Sequence, residues 1–414
     1  MRSTRGIAGR AKLLAPVAFL VLCAAAWADP TVQVLYSFTT YSDGGFPNAS
    51  VLLGPDGQLF GVTSTDGEGD GGVVFDVYPT SSGSWTETSI HTFGLKSGDG
   101  ISPDGPLVAD GAGNLYGATA GGGYGPCPHA QCGIVYELSP NSDGTWKETG
   151  LHAFHGFDGQ MPIGGLVFDR AVDLWGTTGA GGLINGKASD FGTVFMLDRE
   201  QGWQLTTIYT FTGESDGGIP QASLAIDADG NVWGTTTVGG VNNHGTVFEL
   251  TPASGAWTFT TVHEFTGGED GGTPVYGQLV FDRSGNAYGT TYDGGDSNCH
   301  CGVVFAIQKS GGTWHETGIH SFTGSDGRYP YGGLTFDRSG NLYGTTSGKN
   351  GDYGTIFRLQ NSAGIWQLDT IYSFDFVHGA YPYAGLVFGN DGTIYGTTNG
   401  GGVLGAGTVY EVVP

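Results

Sequence analysis

One short motif recurs along the chain at nearly constant spacing. A turn residue is followed four positions later by Pro, at Asp43/Pro47, Asp99/Pro103, Asp158/Pro162, Asp216/Pro220, Asp270/Pro274, Asp326/Pro330 and His378/Pro382. Successive copies lie 56, 59, 58, 54, 56 and 52 residues apart. That period is longer than a two-helix repeat and marks a repeat architecture. Each copy holds four apolar or alternating stretches separated by Gly-rich turns, which read as short strands. In the sixth copy they are Gly333 to Phe336, Leu342 to Thr346, Thr355 to Leu359, and Trp366 through Ile371 to Phe374. Composition agrees: 79 of 414 residues are Gly, and the apolar residues are largely β-branched or aromatic, so tight turns and strands are expected rather than long helices.

The two ends of the repeat array decide how it closes. Val32 to Phe38 matches only a fourth strand, and Gly407 to Val412 matches only a third. The predicted fold is therefore all-β, a seven-bladed β-propeller of four-stranded antiparallel blades whose last blade is closed by the N-terminal strand, residues 32–38. Such closure leaves only short, protected edges. An open solenoid would need polar caps at both ends, which this sequence lacks.

Residues 1–28 are of a different kind. Arg2, Arg5, Arg10 and Lys12 precede an apolar run from Leu13 to Trp27, with a small-residue site at Ala26-Trp27-Ala28. This is a signal-peptide layout, and the run is shorter than the ~20 residues of a membrane-spanning helix. Sec-type export with cleavage after Ala28 is expected, leaving residues 29–414 as one secreted or periplasmic domain with no membrane insertion. Cleavage removes four of the 15 Lys and Arg and none of the 39 Asp and Glu, so 11 cations face 39 acids, a net charge of −28. So acidic a body repels nucleic acid. The expected partner of this monomer is a glycan or an envelope or extracellular protein.

The repeat resembles a known family. Phe211-Thr212-Gly213 with Asp216-Gly217 and Pro220, then Asn341-Leu342-Tyr343-Gly344-Thr345-Thr346, then Gly245-Thr246-Val247-Phe248 with Leu250, are similar to the GloVer tandem-repeat proteins, a choice-of-anchor group, across Val32 to Pro414. The resemblance implies a bacterial envelope or secreted propeller, and supplies no catalytic residues. Relatives carry C-terminal sorting segments, whereas this sequence stops at Val412-Val413-Pro414, so a soluble form without a C-terminal anchor is expected.

Six repeated carboxylates, Asp43, Asp99, Asp158, Asp216, Asp270 and Asp326, have two readings. Asp before Gly forms turns by bonding nearby amides, and carboxylates with turn carbonyls also suit calcium. The turn role is the simpler one, and no other cofactor is expected. Asp227-Ala228-Asp229-Gly230-Asn231 has some likeness to a calcium loop but lacks the downstream Glu. The Trp that opens each fourth strand, from Trp85 to Trp366, and the aromatic residue in each second strand, from Tyr116 to Tyr395, are expected to pack between blades. Cys127 with Cys132, and Cys299 with Cys301, staple equivalent loops and are expected as disulfides in an exported chain.

A specific site should show as departure from the repeat. His378 stands where the other copies have Asp, His155 replaces the Thr of Phe-Thr-Gly, and the fifth repeat has one extra residue between Pro274 and Leu279. Arg328, Tyr329, Tyr381 and His378 are expected near the channel mouth in blades 6 and 7, able to stack on a sugar and hold an acidic group. Two functions follow: a binding module with its ligand on the top face, or a carbohydrate-active lyase or hydrolase using these residues or the Asp270 and Asp326 carboxylates. Phosphate-loop, nucleophile-elbow and dinucleotide motifs are missing.

Overall fold

A computed structural model describes residues 30–124, 132–349 and 351–413, and contains no helix among them. Seven four-stranded antiparallel sheets follow one another along the chain. The first has Leu52–Leu53 innermost, then Leu59–Thr63, Val73–Pro79 and Trp85–Thr92. In the seventh, Thr31–Ser37 pairs with Thr408–Val413, from Thr31 opposite Val413 to Ser37 opposite Thr408. The outer strand of the last blade thus comes from the other end of the chain, as predicted, one residue earlier than residues 32–38. The innermost strands are shorter than expected: in the sixth blade only Thr335–Phe336 pairs, because Gly332 and Gly333 lie against the neighbouring blades instead. The signal segment and Cys127 lie outside the described residues.

Residue type explains the blade. The second strand of the first blade, Leu59–Thr63, is wholly buried, and the fourth is half-buried. A glycine at the centre of each second strand makes room for an aromatic ring from the third: a Cβ on Gly61 would stand 2.3 Å from the Phe75 ring, and one on Gly234 2.5 Å from that of Phe248. The same ring receives the buried Phe that ends the preceding fourth strand. Phe38 meets Phe75 at 5.1 Å, Phe211 meets Phe248 at 5.3 Å and Phe374 meets Tyr410 at 5.2 Å. Such edge-to-face and tilted contacts add to a large apolar burial.

A second aromatic pair joins most neighbours at the opposite end, as predicted. Tyr116 lies 5.6 Å from Trp203, Trp175 4.8 Å from Trp257, and Trp233 5.0 Å from Trp314. Between blades 6 and 7 the register position of Trp is taken by Pro30. A cavity of about 630 Å³ remains there, lined by Pro30, Tyr343, Arg358 and Phe388.

The loop entering each blade is pinned to the blade before it. The glycine ahead of each third strand has positive φ and abuts the next Pro: a Cβ on Gly302 would be 2.6 Å from Pro330 Cδ, and one on Gly407 2.6 Å from Pro47 Cδ. The last contact closes the ring. Thr397 adds a bond to the Ala49 carbonyl at 2.9 Å, and Asn399 Nδ2 donates to Asn48 Oδ1 at 2.7 Å.

Candidate functional site

The residue before each repeat Pro occupies the left-handed region, with φ of 55 to 60° at Phe46, Ser102, Met161, Ile219, Thr273, Tyr329 and Tyr381. None is Gly, so each holds a backbone conformation that costs roughly 1–2 kcal/mol. The surrounding bonds over-determine it. Each N–H donates to a carbonyl of the preceding blade, as Phe46 does to Ala406 at 2.8 Å and Tyr329 to Cys301 at 2.7 Å. This bend aims the residue after Pro at the central channel.

That next position forms a ring of its own. Asn48, Asp104, Ile163 and Gln221 line the channel, with Tyr276 and Tyr383 completing the wall and Tyr331 between those two. The channel volume is about 340 Å³. Below the ring its wall is largely backbone, because the inner strands touch: a Cβ on Gly332 would be 2.4 Å from the Ala384 carbonyl carbon, and one on Gly164 2.7 Å from the Ala222 oxygen. The Gly three residues before Pro and the Pro itself are constant, whereas the position after Pro, like the one before it, changes from blade to blade.

The ring is two-sided. Tyr276 lies 4.9 Å from Tyr331, and Tyr331 lies 4.7 Å from Tyr383. All three are half-buried. Opposite them, Asn48 Nδ2 donates to Asp104 Oδ1 at 3.1 Å. Burial pushes the Asp104 carboxyl above its ordinary range, and that bond partly offsets the shift.

Tyr276 owes its place to the extra residue of the fifth repeat. In blades 3, 5, 6 and 7 a second-strand Thr donates to the next inner strand, as Thr345 does to the Ala384 carbonyl at 2.9 Å. Thr235, which faces the lengthened segment, is buried with its hydroxyl unpartnered. Gln278 Nε2 instead donates to the Leu224 carbonyl at 2.7 Å.

The residues expected near the mouth pair separately. Tyr329 stacks on Tyr292 with centroids 4.8 Å apart, and Lys349 lies 5.5 Å over its ring. Tyr381 meets Tyr353 at 6.1 Å, and Arg328 pairs with Asp352 at 3.5 Å. These three belong to adjoining loops. His378 instead turns to Asp375 in its own loop, at 2.8 Å, and both are well exposed. His155 stacks on Phe157 at 5.6 Å, three blades round from Tyr329 and Tyr381, and lies 3.6 Å from Asp158. Asn48, Asp104, Gln221 and Tyr276 were not singled out in the sequence; the signals that would have found them are the shared position directly after the repeat Pro for the first three and the extra residue of the fifth repeat for Tyr276.

The repeated Asp residues face the outer strands. Asp43 accepts from Tyr36 at 3.0 Å and from the Thr39 amide at 2.9 Å. Asp216 does the same with Tyr209 at 3.0 Å and Thr212 at 2.9 Å, with the Thr212 hydroxyl on its other oxygen. His152, His263 and His320 take the Tyr position against Asp158, Asp270 and Asp326, at 2.9, 3.1 and 3.0 Å. In five of the six loops a strand side chain and the loop's own amides hold the carboxylate. Asp99 is the departure. Asp227, of the calcium-like turn, accepts from the Asn231 amide at 2.9 Å and Trp233 Nε1 at 3.1 Å. Cys299 and Cys301 form a disulfide with Cα atoms 5.1 Å apart, and Cys132 is buried and disulfide-bonded.

A carboxylate on the outer strand adds a pH dependence. Burial pushes the Glu316 carboxyl up to about 7, and the Asp270 charge adds to the shift. The folded chain therefore holds more protons than the unfolded chain between pH ~4.5 and ~7, and this group's contribution to stability falls as pH rises across that window. Glu316→Gln removes the effect. The variant's melting temperature is expected to gain on the parent's from pH 4.5 to 7; a constant difference between the two melting curves contradicts it.

The profile of the Gloeobacter/Verrucomicrobia repeat matches residues 22–188 and 183–410. The chain belongs to this family. None of the curated proteins matches the family member described here. Among solved structures, it is similar to an ancestral GH74 enzyme at 14% identity and TM-score 0.60, covering 90% of this chain and 48% of that one. The extracellular domain of a protein described as a hybrid two component system from B. thetaiotaomicron gives 12% identity and TM-score 0.56, over 92% and 39%. A protein described as a 6-phosphogluconolactonase from Bacteroides uniformis gives 13% identity and TM-score 0.53, over 84% and 88%. The chain spans less than half the length of the first two. At such identities the likeness is one of fold.

Proposed function

We propose that this family member is an exported binding module of the bacterial envelope that takes a glycan at the channel mouth. One observation carries the reading: the residue after the repeat Pro, which changes from blade to blade, supplies Tyr331 and Tyr383 beside Tyr276 on one arc and Asn48, Asp104 and Gln221 on the other. Tyrosine faces take the C–H side of a sugar ring while amides and a carboxylate bond its hydroxyls. Glycoside hydrolysis in its usual form needs two flanking carboxyl groups, and this ring holds one. The signal-peptide layout and the acidic body support export and a neutral ligand.

The test uses chain recovered from periplasmic and culture fractions, with its N-terminus expected at Asp29, against neutral and acidic polysaccharides. Saturable binding without product release is expected. Tyr331→Ala should weaken it by at least about tenfold, the loss of one stacked ring worth roughly 1.4 kcal/mol. Product release that disappears in His378→Ala would replace this reading with an enzyme of blades 6 and 7.

A further inference from the structure

Asp99, in the loop entering blade 2, lacks the donors that hold its counterparts. Four of the other loops have Thr directly after the buried Phe, and its amide bonds the repeat carboxylate: Thr39 to Asp43, Thr212 to Asp216, Thr266 to Asp270 and Thr323 to Asp326. Here that position is Gly94, and the segment from Phe93 to Asp99 is longer than in any other repeat. Asp99 keeps one bond, from the Gly100 amide to Oδ1 at 3.0 Å.

The Asp99 side chain is only 1% exposed, yet its Oδ2 has no partner. His91, from the preceding outer strand, approaches but does not bond: its Nε2 is 3.7 Å from Oδ1 and is itself buried and unpartnered. Its ring is held edge-on to Phe93 at 4.5 Å. Leaving two such groups buried and unpaired costs about 1–3 kcal/mol each. A third ligand comes from the neighbouring strand, where Glu148 brings a carboxylate so that His, Asp and Glu ligand atoms all lie within 4.8 Å of one another.

From this geometry we infer that His91, Asp99 and Glu148 form a binding site for a divalent transition cation between blades 1 and 2. One imidazole and two carboxylates suit Zn²⁺ or Mn²⁺, whereas calcium takes oxygen alone. An ion at bonding distance of Asp99 Oδ2 and His91 Nε2 satisfies both orphaned atoms, and the Glu148 side chain closes on it from the strand. Asp99 and Glu148 also line an open cavity of about 350 Å³, which admits the ion and the waters that complete its shell. The cluster of His152, His155 and Asp158 is different, because Asp158 already accepts from His152 at 2.9 Å and from the His155 amide at 2.7 Å.

The experiment is equilibrium dialysis of the chelator-treated chain from Asp29 against Zn²⁺, with bound metal counted and melting temperature recorded. One tight equivalent is expected, with a rise in melting temperature. His91→Gln and Asp99→Asn should each weaken binding about 100-fold and abolish that rise; His155→Thr should change neither. If the buried-site variants fail to fold, the half-exposed Glu148→Gln decides, with about tenfold weakening expected. Absence of a stoichiometric site, an equivalent that survives all three substitutions, or one that disappears with His155→Thr instead, overturns the assignment.

Discussion

A chain lacking residues 31–38 is expected to lose its cooperative melting transition and to self-associate. The segment supplies the outer strand of blade 7 and places Phe38, fully buried, against Phe75 of blade 1. Loss of one buried Phe costs about 3–5 kcal/mol, against a total domain stability of about 5–15 kcal/mol. Deletion also bares the whole edge of Thr408–Val413, whose unpaired backbone groups invite pairing with another chain. Size exclusion with circular-dichroism melting reads both effects. A monomer melting within a few degrees of the parent would mean that the ring does not depend on this strand.

Gly407→Val is expected to cost about 2–5 kcal/mol in urea unfolding. Gly407 has φ of +98°, and an added Cβ would lie 2.4 Å from the Thr398 carbonyl oxygen and 2.6 Å from Pro47 Cδ. Left-handed strain contributes roughly 1–2 kcal/mol, and overpacking against backbone a further 1–3 kcal/mol or so. Gly392→Ala is the control, since Gly392 has φ of +95° but nothing within 4 Å of an added Cβ. It should cost only the strain. Equal losses at the two sites would show that the Gly407 contact with Pro47 contributes nothing to closure.

The blade count, the antiparallel order and the closing strand were legible in the sequence because a repeat states the same physical solution several times. A single Phe-Thr could be chance; its recurrence ahead of Asp43, Asp216, Asp270 and Asp326 fixes which residues cap which turn. Strand ends were less legible: the innermost strands shrink to two residues, as at Thr335–Phe336, since glycine contacts across the ring compete with pairing within the blade.

The candidate sites were harder for the opposite reason. Asn48, Asp104 and Gln221 look like ordinary loop residues until the left-handed residue before each Pro turns them into one channel. Tyr329 and Tyr381 were noticed, yet their rings engage neighbouring loops, while Tyr331 and Tyr383, two positions on, sit in the ring with Tyr276. At Asp99 the informative fact is a missing Thr. A spacing that differs by one residue from the repeat carries it.

Seven equivalent blades would offer a ligand seven equivalent orientations, with occupancy smeared around the axis. The residue inserted before Gln278 gives the ring an origin. It sets Tyr276 into the wall, leaves Thr235 without its partner and trades a hydroxyl bond for one from Gln278. Angular position around the axis thereby acquires meaning: a bound molecule can be distinguished by its heading as well as by its shape.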